Sequence, residues 1–351
     1  MKASGRRNLK KLREFMDEKG VDLILFKGPE PNVRYFSNFF GSCFLVIDKE
    51  KRVLITESLE LDRAKKQADV EEIIDLKNFG SIPECLRKNF DFKVIGLVKS
   101  SISLRIFEEL KKTRAKFFDV EKIVAELRAI KFKEEIELLK KSCKIANQGI
   151  EIVKELFRRK NIRESELALE LEKFIKEKGE SAFETLVASG KRACFPHPYP
   201  FSSKNIIKGL GYVDFGVSYK GYCSDVTLPF AKGNISEKER IAIKVLEEAY
   251  ELSLSCIKEG EEVNKVYECV DKFLNSKGFE LKHGLGHGLG LAVHDYPSIS
   301  KKEKSVMKFK RNMVFTIEPA IYTKSFGIRI ENDFLLSKKL EKLTNSEIFF
   351  C

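Results

Sequence analysis

Tryptophan is absent from the 351 residues, and histidine and methionine occur four times each. No C-x-x-C pair joins any of the eight cysteines, which removes the usual ribbon-type zinc and thioredoxin-like readings. No apolar run approaches the roughly 20 residues that a bilayer crossing needs, so a membrane span is excluded. No apolar segment follows the basic residues 1–7, so no secretory leader is expected and the thiols are read as free and cytoplasmic. No dinucleotide fingerprint, phosphate-loop lysine motif or G-x-S-x-G elbow occurs, and the surround of a papain-like cysteine is missing. Covalent catalysis by Ser or Cys is therefore not expected. No repeat of 20–50 residues is present.

What the chain does have is charge. Asp, Glu, Lys and Arg make up 34%, against about 25% in typical domains, and the net charge is +12. The lysines are interleaved with acids, as in residues 131–135 and 301–304, and no basic arm stands out. That pattern reads as a solvated, salt-bridged surface, so no nucleic-acid partner is expected. Lysine and glutamate enrichment also suits a protein that works hot.

The length implies two domains. In the first third, strands near 22–26, 43–48, 52–56, 70–75 and 93–98 alternate with helices near 8–19, 59–67, 79–89 and 104–112. Alternation of this kind predicts a small α/β domain with a mostly parallel sheet. From 120 to 178 the strand signal vanishes. Ile136, Leu139, Cys143, Ala146, Ile150, Val153 and Phe157 recur at helical spacing, and no proline occurs between Pro83 and Pro196. A second helix is expected at 166–178. The domain break is placed at 125/126, within a helical connection. Two more helices are expected at 237–258 and 263–277, with Gly260 and Gly278 positioned to cap them.

Four acids interrupt apolar strand patterns. Asp214 lies in residues 211–219, with Val213, Phe215 and Val217 on the opposite face. A hairpin through Gly221 brings Asp225 beside it. Glu318 and Glu331 repeat the theme within 314–321 and 327–331, where Ile328 and Ile330 face away from Arg329 and Glu331. Adjacent carboxylates repel unless a cation joins them. An isolated pair would be read as solvent-facing, but two pairs beside a histidine cluster point to metal. His283 and His287 are four apart, yet the glycines at 284, 286, 288 and 290 argue against a helix. Alternate glycines imply a strand or loop that other groups approach closely. For any one histidine alone, a satisfied structural role would be the better reading. Cys223, two residues before Asp225, is expected to be half-buried.

These segments resemble the pita-bread metallopeptidases, a superfamily that includes prolidase, aminopeptidase P, methionine aminopeptidase and creatinase. The likeness is strongest over 185–345, and residues 32–42 resemble the family's N-terminal signature. It implies a creatinase-like α/β N-terminal domain (1–125) and an α+β pita-bread catalytic domain (126–351). It also implies two divalent ions, with Mn, Co or Fe favoured over Zn, held by Asp214, Asp225, His287, Glu318 and Glu331. His197, His283 and His294 would line the substrate pocket with Arg329, and Glu318 would also shuttle a proton. The implied reaction is hydrolysis of the bond before proline by a hydroxide held between the ions. The implied substrate is a peptide with proline at its second position, and the implied assembly is a homodimer. A catalytically silent peptide binder is the alternative. Two departures from the pattern are Ser298, after Pro297, where many dipeptidases carry an Arg nearby, and Asn332 in place of an Asp.

Overall fold

The computed structural model describes residues 4–301 and 307–351, so part of the charged run at 301–304 lies outside the described residues. The chain divides into two compact units, Met1–Arg128 and Ala129–Cys351.

The first unit is built on a six-stranded sheet. Its order is Glu72–Asp75, Arg52–Thr56, Cys43–Ile47, Leu23–Lys27, Val94–Leu97 and Lys116–Asp119. The sheet is mixed, because the chain turns back through two hairpin-like steps. Leu23–Lys27 and Arg52–Thr56 both pair antiparallel with Cys43–Ile47, while the remaining three pairings are parallel. The edge strand Lys116–Asp119 was not anticipated; four residues with a charge at each end carry little alternation. Residues of the proposed N-terminal signature form the helix Pro31–Ser37, which starts on a proline and ends at Asn38 with φ +55°.

The first unit closes on the helix Glu121–Ala129, and the second carries helices Lys133–Leu156 and Glu164–Lys178. Their apolar stripes, including Ile150, Val153 and Leu171, pack on Val213, Phe215 and Phe230 of a four-stranded sheet. That sheet runs Phe349–Phe350, Val226–Lys232, Gly209–Phe215, Leu186–Ser189. Helices Glu237–Cys256 and Val263–Ser276 supply Leu246, Val266 and Val270 to a second core against Phe315 and Phe334. These phenylalanines belong to a five-stranded sheet ordered Asp295–Ile299, Gly286–Gly288, Met313–Ile317, Asn332–Leu336, Leu340–Lys342. Gly278 follows Val263–Ser276 at φ +81°, the left-handed backbone that ends a helix at low cost, whereas Gly260, at φ +88°, shapes the turn beyond Glu237–Cys256, which is capped at Ile257.

An isolated bridge ties the four-stranded sheet to the segment that leads into Asn332–Leu336. Thr227 pairs with Asp214 within that sheet, and the bridge joins Thr227 to Glu331, whose N–H donates to Thr227 O (3.1 Å). Asp214, Thr227 and Glu331 therefore stand in a row across the seam.

Candidate metal centre

The seam explains how acids far apart in sequence converge. Asp214 is inside a strand, as its alternation with Val213 and Phe215 predicts. The other three acids differ from expectation. Asp225 directly precedes Val226–Lys232, Glu318 lies between Met313–Ile317 and Ala320–Tyr322, and Glu331 lies between Gly327–Arg329 and Asn332–Leu336. Pro319 removes a ladder donor beside Glu318, which favours such an interruption. Oxygens of Asp214, Asp225 and Glu331 lie within 4.8 Å of one another, as do ligand atoms of His287, Glu318 and Glu331. A third set, Asp225, His287 and His294, meets the same distance. His287 Nε2 is 3.5 Å from Asp225 Oδ2 and 3.7 Å from Glu318 Oε1.

The alternate glycines make room for this. A Cβ on Gly286 would lie 2.1 Å from Thr316 O, and one on Gly288 would lie 2.1 Å from Tyr296 O. Backbone atoms cannot yield to such a contact, so only glycine lets the His287 strand sit between its neighbours. Thr316 Oγ1 accepts the His287 N–H (3.2 Å), and Glu318 N–H donates to Leu285 O (2.8 Å), which ties Glu318 to the histidine segment.

Burial and mutual repulsion dominate the electrostatics. Desolvation, then Glu331, Asp214 and further acids, holds Asp225 well above the usual carboxylate range. Burial followed by Glu331 does the same to Glu318. Glu331 is pushed up to about 7, by burial first and Asp214 second. Burial also raises Asp214, against the Arg329 guanidinium beside it. The histidines move the other way: burial lowers His287 to about 3 and His283 to about 4, so both rings are neutral at neutral pH. Burial likewise lowers the more exposed His197 and His294.

The residues fit a bound cation. Asp214 Oδ1 is buried with no hydrogen-bond partner, an arrangement that is costly for a lone carboxylate oxygen. His287 Nδ1 lies 3.1 Å from Gly288 O, so a proton there donates to the carbonyl and leaves Nε2 as a free ligand lone pair facing the acids. Three or four carboxylates with one imidazole form an oxygen-rich donor set that suits Mn, Co or Fe(II). A dication would also reverse the repulsion that raises the acids.

Of the remaining expected residues, His197, His294 and Arg329 line a cavity of about 380 Å³, whose walls also include Glu318, Phe183 and Phe201, whereas His283 is not part of its wall. His283 Nδ1 lies 2.7 Å from Gly284 O and 3.7 Å from Glu318 Oε2, and its Nε2 is buried without a partner. His294 packs edge-on against His287, with ring centroids 4.3 Å apart. Arg329 departs from the expected substrate contact. Its guanidinium is committed to Asp214 Oδ2, to Thr227 Oγ1 (3.0 Å) and to Tyr322 OH (2.9 Å), and it lies over the Tyr212 ring at 4.8 Å. With 2% of its surface exposed, it braces Asp214 at the cavity wall. Cys223 is buried rather than half-buried.

Several supporting residues were not anticipated. Thr227 Oγ1 donates to Glu331 Oε2 (2.7 Å). Asp333, fully buried, accepts the Asp225 N–H at 3.1 Å and faces Cys143 Sγ at 3.3 Å. Their only sequence signal is adjacency to an acid already singled out. Asn332 binds Tyr250 OH and Ser346, so the substitution at that position serves packing beneath the site.

The arrangement defines a metallopeptidase of the pita-bread type. The sequence matches metallopeptidase family M24 over residues 137–338 and the creatinase/prolidase N-terminal domain over 8–130, and the chain belongs to that metallopeptidase family. The Xaa-Pro dipeptidase of Pyrococcus furiosus is 33% identical over 349 residues, covering 97% of this chain and 98% of its own. The prolidase from Pyrococcus horikoshii OT3 superimposes with a TM-score of 0.89 at 30% identity, covering 98% of this chain and 99% of that one. The X-Pro aminopeptidase from Thermotoga maritima MSB8 gives 0.80 at 31% identity, over 95% and 98% of the two chains.

Proposed function

We propose that this chain is a two-metal Xaa-Pro peptidase that hydrolyses the peptide bond preceding proline. The observation that carries the reading is the buried meeting of Asp214, Asp225 and Glu331, with Asp214 Oδ1 unpartnered and His287 Nε2 turned toward the same acids. In this reading Asp214, Asp225, His287, Glu318 and Glu331 would hold the ions. Mn, Co or Fe(II) is the preferred occupant. Two such ions supply Lewis acidity and ionise a water near neutral pH.

The chain's own residues do the rest. Glu318, raised by burial, accepts a proton from the attacking water and returns it to the leaving proline nitrogen. His294 and His197, on the cavity wall, steady the oxyanion or that nitrogen. Arg329 keeps Asp214 ionised and aimed. Phe183, Phe201 and Val293 give the proline ring an apolar wall. The names of the relatives, Xaa-Pro dipeptidase and X-Pro aminopeptidase, support proline at the second position. A homodimer in the cytoplasm belongs to the same reading.

The test replaces Asp225 by Asn. Bound metal, counted by inductively coupled plasma mass spectrometry, should fall by at least one ion per chain. Ala-Pro hydrolysis should fall by more than about 100-fold, since even partners beyond the ligands cost about 10–100-fold. Full metal content with normal turnover refutes the assignment. Turnover of Ala-Pro against Ala-Pro-Ala then separates dipeptidase from aminopeptidase.

A further inference from the structure

We propose that Cys256 and Cys269 form a redox-controlled disulfide that staples the helical hairpin behind the catalytic sheet. Their Sγ atoms are 3.1 Å apart, although the residues are separated by 13 positions and lie on different helices. Cys256 is the last residue of Glu237–Cys256, and Cys269 lies within Val263–Ser276. A disulfide needs a sulfur–sulfur distance near 2.05 Å, so the pair has to close by only about 1 Å. Both residues are half-buried, which leaves a path for a small reagent. The hairpin is not peripheral. Cys256 packs on the core that contains Phe315, and Val263–Ser276 lies against Asp295–Ile299, the strand that follows His294.

The co-reactant is a low-molecular-weight disulfide. The Cys256 thiolate attacks one of its sulfurs, forming a mixed disulfide and releasing one small thiol. The Cys269 sulfur then attacks the Cys256 sulfur, closing the protein disulfide and releasing the second small thiol. The two protons from the cysteines leave on those thiols, so two protein thiols and one small disulfide become one protein disulfide and two small thiols. Burial, followed by the neighbouring Cys256 sulfur, holds the Cys269 thiol up at about 11. That favours Cys256, beside exposed Ser255, as the first nucleophile. The ring closed by the bond restricts the unfolded chain, so its effect is on survival at high temperature rather than on the chemistry of the metal centre.

The full chain would be equilibrated with oxidised glutathione or with dithiothreitol, denatured, alkylated and weighed by mass spectrometry. Reduced protein should take up eight alkyl groups, one per cysteine. Oxidised protein should take up two fewer, with a tryptic cross-link joining Cys256 to Cys269. Oxidation should raise the melting temperature by about 5 °C, and the variants Cys256→Ser and Cys269→Ser should lose both the cross-link and the shift. Uptake of eight groups after oxidation, a cross-link between other cysteines, or a glutathione adduct that Cys269 never displaces would each overturn the proposal. The wild-type peptide map decides even if a serine variant folds poorly.

Discussion

Replacing Glu331 by Gln should stabilise the metal-free protein at alkaline pH and destabilise the metal-loaded one. Glu331 has its carboxyl raised from 4.5 to about 7 by burial and by Asp214. A group whose folded pKa is raised favours the fold fully below its unfolded value. That contribution is lost as pH rises through the folded value. Across the gap from 4.5 to about 7, at about 1.4 kcal/mol per unit, the loss is about 3 kcal/mol. Glutamine keeps an oxygen to accept from Thr227 Oγ1 and carries no charge, so it escapes the loss. Urea denaturation of both proteins in a chelator should therefore coincide below about pH 4.5 and separate by about 3 kcal/mol, in favour of the variant, above about pH 7. The lowered His283 and His287 contribute the opposite slope, but they are common to both proteins and cancel in the difference. With manganese present the order should invert, because the ions bind the ionised carboxylate that the variant lacks. A variant that is no more stable than the parent in chelator at about pH 8 would refute the argument that these acids repel across an empty seam.

Two further substitutions probe the supports. Arg329→Met removes the partner of Asp214 and should cost about 3–5 kcal/mol in urea unfolding, the usual loss when one half of a buried ion pair is deleted. Glu164→Gln weakens a fully buried hub: its carboxylate accepts from Ser189 N and Oγ, Arg192 Nε, and Ser203 N and Oγ, pinning both ends of the loop that carries His197. It should raise KM for Ala-Pro with metal content unchanged, and speed chymotrypsin cleavage after Phe201, which precedes Ser202 in the same loop; unchanged KM and cleavage would count against a positioning role.

Much of this site was legible because its signals are local. Val213, Phe215 and Val217 do share a core face, as their alternation implies, which turns Asp214 to the other side. Alternate glycines around His287 did announce close backbone approach, and the contacts at Gly286 and Gly288 are of that kind. What escaped the sequence depends on register between distant segments. Arg329 reaches Asp214 across 115 residues, and Asp333 reaches the Asp225 N–H across 108. No periodicity encodes which strands will be neighbours, so the alternation at 327–331 places Arg329 on the face of Glu331 without naming Asp214 as its partner. In the N-terminal sheet, the short link at 49–51 makes a strand pair of 43–48 and 52–56 legible, but the antiparallel pairing of Leu23–Lys27 with Cys43–Ile47 depends on the path of a longer connection.

The positions of the acids carry a physical consequence. In a ladder interior, a charged side chain is fixed by two neighbouring strands and its own backbone is fully used. At a strand end, the ladder gives way and bonds to other segments can turn the carboxylate toward a shared point. Asp225, Glu318 and Glu331 all occupy such ends, whereas Asp214 is held in mid-strand and braced by Arg329. Those three are aimed instead by backbone N–H bonds to Asp333, Leu285 and Thr227, so all four acids are held toward one point. The cost of that design is an apo state in which buried carboxylates must take up protons or repel, as the raised Asp225, Glu318 and Glu331 indicate. In the proposed function, metal binding and folding would thereby be linked through protons: ions held by these acids would displace them, and affinity would rise with pH over the range where Glu331 ionises.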